Sequence, residues 1–174
     1  MPSATTRSSD AFAFPFELSL PAWVKPTPDV DGSDFVTWMS PTEDRAIRVL
    51  HPVSVYPPGA TTAGPVPADY QAYFEGLADH GMRLADRATA TVGGHPATLY
   101  TITTTSSLDG VWGCPETGLT ADVCFGAQPE LAVRFALVDM DGQPLLIWVR
   151  AAKDSDNQAA YADFEGMLQT IRFR

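Results

Sequence analysis

The chain has 174 residues, 45% of them hydrophobic and 18% charged, and its 21 acidic against 11 basic residues leave a formal charge of −10. That length suits one domain burying roughly 70% of its unfolded surface, and the periodic apolar segments described below set it apart from a disordered chain. An acidic surface with no Lys/Arg run repels phosphate backbones and anionic lipid, which argues against nucleic acid as a partner and against direct membrane insertion of this domain; no apolar run approaches a membrane span.

Residues 1–11 are Ser/Thr-rich and lack the apolar stretch of a secretory leader, so they are expected as a disordered N-terminal segment ahead of a single domain over 12–174. Phe12, Phe14, Phe16, Leu18 and Leu20 alternate with other residues, the pattern of a half-buried strand. Pro15 and Pro21 place that strand toward a sheet edge. After a Pro/Asp/Gly loop, 35–39 and 46–51 read as two strands around the turn signal Ser40-Pro41-Thr42-Glu43-Asp44. Tyr70, Tyr73, Phe74 and Leu77 form one stripe of a helix running from near Pro67 to Gly81.

Two hairpins follow. In the first, 82–92 and 96–105 meet at Gly93-Gly94, a two-residue turn that sets Val92 opposite His95, Ala90 opposite Ala97 and Ala88 opposite Leu99. In the second, Asp141-Gly142 turns 131–138 back as 145–150, with Phe135 opposite Trp148 and Ala136 opposite Ile147. That ribbon is apolar on both sides and needs covering on both. A closing helix after the capping residues Asp154-Ser155-Asp156-Asn157 carries Ala160, Phe164, Met167, Leu168 and Ile171 as its buried stripe, with Gly166 allowing close backbone approach. The fold class is therefore α+β: an antiparallel sheet of about six to seven strands covered by helices on both faces, an α/β/α sandwich.

Between the hairpins, Ser106 to Glu130 is the longest loop, holding Trp112 and both cysteines, Cys114 and Cys124. The cysteines either close a disulfide, which points to an oxidising compartment, or stand as two thiols.

Three segments together, Phe16-Glu17-Leu18-Ser19-Leu20-Pro21-Ala22-Trp23, Val92-Gly93-Gly94-His95-Pro96-Ala97 and Phe164 to Phe173, resemble the PsbP-like (Mog/PsbP-like) superfamily over nearly the whole chain. The resemblance implies an antiparallel sheet between helices and non-catalytic work. Members include an extrinsic photosystem II subunit, a Ran-binding transport factor and bacterial envelope lipoproteins, and this chain looks like the bacterial group. It departs from the pattern at Ala22, where Gly is usual, and in its cysteine loop. The implied function is a non-enzymatic binding or accessory domain of the cell envelope, monomeric and without a cofactor, presenting a cysteine-stapled loop to a protein or small-molecule partner.

The chemistry-bearing residues fit that expectation. His51, His80 and His95 have no metal-ligand spacing. The acidic sets Asp29-Asp31-Asp34 and Asp154-Asp156-Glu165 outline calcium loops only loosely, and Ala159 occupies the glycine position of the second. Neither cysteine has a neighbouring base, and no glycine-rich phosphate loop opens a helix. Trp112 is either an interface anchor or a lid on the core. Arg134 and Arg150 lie in apolar strands on opposite faces, where an arginine ordinarily snorkels or pairs with an acid. Trp148 and Arg150 mark the alternative, a small-ligand carrier or enzyme with a pocket between helix and sheet.

Overall fold

Two hairpins laid side by side make the centre of the molecule. The computed structural model describes residues 5–174, with strands β1 (Thr5–Ser9), β2 (Phe16–Leu20), β3 (Val30–Asp31), β4 (Phe35–Met39), β5 (Ala46–Leu50), β6 (Met82–Val92), β7 (His95–Thr104), β8 (Leu131–Met140), β9 (Gln143–Ala152) and β10 (Arg172–Phe173), and helices α1 (Tyr70–Gly76) and α2 (Gln158–Leu168). Seven strands form one antiparallel sheet in the order β3-β4-β5-β9-β8-β7-β6. Both hairpin registers are those the turns dictate: Val92 opposite His95 and Ala88 opposite Leu99, Phe135 opposite Trp148 and Ala136 opposite Ile147. Gly93 is needed twice over. Its φ is +56°, and a Cβ there would lie 2.5 Å from the Phe173 ring of the C-terminal strand.

The α+β sandwich follows from the two apolar faces of β8 and β9. On one, α2 lays Phe164, Met167 and Leu168 against Ile147, Val149 and Ala136, and Phe16, Leu18 and Leu20 join the same core. On the other, Tyr70, Phe74 and Leu77 pack over Phe135, Leu146 and Trp148. Burying each such side chain contributes about 1.5–3 kcal/mol. The α1 helix is short and passes into a 3₁₀ turn, Leu77–His80, closed by Gly81 at φ +110°. It covers only part of its face.

Three expectations need correction. Thr5–Ser9, expected as part of a disordered segment, is a strand paired with β2 from Thr5 opposite Leu20 to Ser9 opposite Phe16; residues 1–4 of that segment lie outside the described residues. The strand expected near an edge of the main sheet is instead the middle of a separate sheet, β1-β2-β10. Pro15 precedes the regular strand, so the donor it lacks is not missed there, and its carbonyl accepts from the Arg174 amide. Gly166 is exposed and a Cβ there would meet nothing within 4 Å, so no close approach depends on it.

Candidate binding site beneath the stapled loop

The loop of 106–130 completes the cover that α1 leaves unfinished. Cys114 and Cys124 form a disulfide closing a ten-residue separation. The loop is also tied to the body by tyrosines: Tyr70 donates to the Trp112 carbonyl, Tyr73 to the Val111 carbonyl at 2.6 Å, and Tyr56 to the Leu119 carbonyl at 2.8 Å. Burial pushes the Tyr73 hydroxyl up to about 12 and Tyr70 up as well, so both remain protonated donors across the physiological range. A single-residue bridge between Ser54 and Cys114 seats the loop against the chain leaving β5, and another, Gly113 with Phe125, closes the loop on itself. Gly113 makes that approach possible, since a Cβ would fall 2.5 Å from Pro52.

Trp112, either anchor or lid from sequence, is 1% exposed and serves as a lid. Its ring meets Phe135 at 5.1 Å and Trp148 at 5.6 Å, both edge-on, and its indole N–H points at the Met82 sulfur at 3.3 Å. Trp148 is equally buried. Phe125, carried by the loop, lies edge-on to Trp148 at 5.5 Å and stacks on Phe35 at 4.6 Å.

At the margin of this cluster a recess of about 200 Å³ opens between loop and sheet. Its lining includes Trp112 and Trp148, the Cys124-Phe125-Gly126 segment, Gln128, and the side chains of Arg48 and Arg150. The structure thus brings together Trp112, Cys124, Trp148 and Arg150, leaves Cys114 outside the lining, and adds Arg48 and Phe125. Arg48 lies opposite Trp148, and Ala46 opposite Arg150, so the two arginines are diagonal neighbours on one face.

Neither guanidinium has an acidic partner within ion-pair distance among the described residues, and the buried Nε atom of each meets no acceptor there. Arg48 rests over the Phe125 ring at 5.1 Å. Burial, reinforced by the charge of Arg150, brings Arg48 down to about 10, so it stays a cation at neutral pH. That is unfavourable to folding: a base whose folded pKa lies below its ordinary value opposes folding below about pH 10 and is relieved only as pH rises from there toward that ordinary value.

Other candidates are occupied structurally. Asp29 takes Lys25 and the Met39 amide, Asp31 accepts from Ser9, and Asp34 meets His51 at 2.9 Å. Glu165 pairs with Arg134 at 2.7 Å. A larger depression of about 380 Å³ lies under the start of α1, but its lining holds no Lys, Arg, His or Cys, and its two acids, Asp69 and Asp139, accept backbone N–H bonds from Ala72 and Gly142. Among the described residues no helix is long and apolar enough to cross a membrane.

No family model and no curated protein sequence matches the chain. Solved structures do. The solution structure of cyanobacterial PsbP from Synechocystis matches all of this chain and 94% of its own length, at 10% identity and a TM-score of 0.50. The Ran-binding protein Mog1p of Saccharomyces cerevisiae matches over 98% of this chain and 96% of its own, at 11% identity and a TM-score of 0.52. A Bacteroides thetaiotaomicron protein, of which the chain spans about half (49%), matches at 9% identity and a TM-score of 0.50. At such identities what is shared is backbone arrangement and not site residues. The sheet between two helical layers, followed end to end by the first two of these structures, places the chain in the PsbP/Mog1-like fold.

Proposed function

We propose that the protein is a non-enzymatic accessory domain of the cell envelope that binds a ligand in the recess between the stapled loop and the sheet. One observation carries this reading: two arginines with no acidic partner among the described residues line a recess with buried aromatics, where the cover of the sheet is a loop. A cation left unpaired beside apolar surface opposes folding, and such a cost is ordinarily retained where a ligand supplies the missing partner. Disulfides persist in oxidising compartments, so the Cys114–Cys124 bond supports an extracytoplasmic setting. The Ran-binding member of the fold supports a binding role and not a catalytic one.

The test is native mass spectrometry of protein purified from its host, beside the variant Gln128→Trp, which fills the recess with an indole from an exposed rim position. A bound species on the wild type that is absent from the variant is the expected result. An unliganded wild type, or a species retained by both, overturns the reading.

A further inference from the structure

We infer that the recess takes the phosphate group of a phosphomonoester, held between Arg48 and Arg150; this rests on the reading that the recess binds a ligand at all. The two guanidinium groups repel each other across adjacent strands, and a single dianion neutralises both, which a neutral or singly charged group does not. Neither guanidinium has an acidic partner among the described residues, both residues line the recess, and guanidinium forks match the spacing of phosphate oxygens.

Phe125 gives the recess an aromatic side, and Arg48 rests over its ring at 5.1 Å, which holds that cation at the rim. At about 200 Å³ the recess is smaller than a pocket for a whole drug-sized molecule, so it grips a headgroup and leaves the substituent to emerge past Gln128. With a net charge of −10 the rest of the surface repels extended polyanions. Arg134 gives the contrast within the same chain: it is a buried strand arginine whose charge is met by Glu165 and whose Nε and Nη1 donate to Glu165, the Asp86 carbonyl and the Thr101 hydroxyl.

Arginine Nε–H resonances of the intact oxidised protein, titrated with inorganic phosphate against chloride at constant ionic strength, test the assignment. Two resonances should shift saturably, with affinity falling about tenfold or more in Arg48→Gln and in Arg150→Gln and partly restored in the lysine variants. Thermal midpoints of the variants check that each is folded. Linear, unsaturated shifts, or saturable binding unchanged in both glutamine variants, overturn the proposal. Co-sedimentation with phosphatidic acid vesicles against phosphatidylcholine vesicles then separates the sources: arginine-dependent capture identifies a lipid headgroup, and its absence identifies a soluble phosphomonoester. If phosphate fails while a co-purified species is lost in Gln128→Trp, the recess remains a binding site and only the phosphate assignment falls. If phosphate binds equally well to Gln128→Trp, the recess itself is excluded.

Discussion

Arg134 and Arg150 sit on neighbouring strands of one sheet and face opposite ways, and their surroundings could hardly differ more. Arg134, 7% exposed, lies under α2 and donates to Glu165, a carbonyl and a hydroxyl. Arg150 lies at the margin of the stapled loop beside a second arginine, and neither has an acidic partner among the described residues. The faces differ in the same way. One is sealed by a three-turn helix and a small sheet, the other by a short helix and a loop that needs a disulfide and three tyrosine hydroxyls to stay down. A helix edge can supply a carboxylate where a buried cation needs one, as Glu165 does. A loop edge that supplies none leaves the cation for something else.

Perturbing each face in turn measures this difference. Trp112→Ala removes the central ring of the loop side and should cost about 3–5 kcal/mol in denaturant unfolding; a loss under about 1 kcal/mol would mean that the loop carries no core. Glu165→Ala strands Arg134 as a charge with no acid and should cost about 3 kcal/mol, a fall of roughly 6–12 °C in thermal midpoint. The double variant Cys114→Ser/Cys124→Ser should lose about 2.5–3 kcal/mol, since a short closed loop no longer limits the unfolded chain. Amide exchange should then rise in 106–130 and leave α2 unaltered; equal exchange on both faces would dissolve the distinction. Arg150→Leu, which removes a cation with no partner, should change stability by less than about 1 kcal/mol in anion-free buffer. A loss as large as that of Glu165→Ala would mean that Arg150 is a structural residue after all.

The parts legible in sequence were those set by short-range geometry. Gly93-Gly94 and Asp141-Gly142 each force a two-residue turn, and such a turn determines every facing pair behind it. The ten-residue spacing of the cysteines and the stripe of α1 are local in the same sense. What escaped was non-local. Arg48 sits in an apolar strand as plainly as Arg150 does, yet only the pairing of β5 with β9 brings the two together. The small sheet was hidden likewise, because Arg172 and Phe173 must travel the length of the chain to meet β2.

The β5–β9 pairing also bears on synthesis. With elongation at about 5–20 residues per second, β5 waits roughly 5–20 s for Leu146 and its neighbours to emerge and pair with Leu50 and its own. Through that interval Ile47, Val49 and Leu50 stand in a nascent chain with their eventual partner unmade. A charge in the middle of an otherwise greasy strand, as Arg48 is, discourages premature association through that wait.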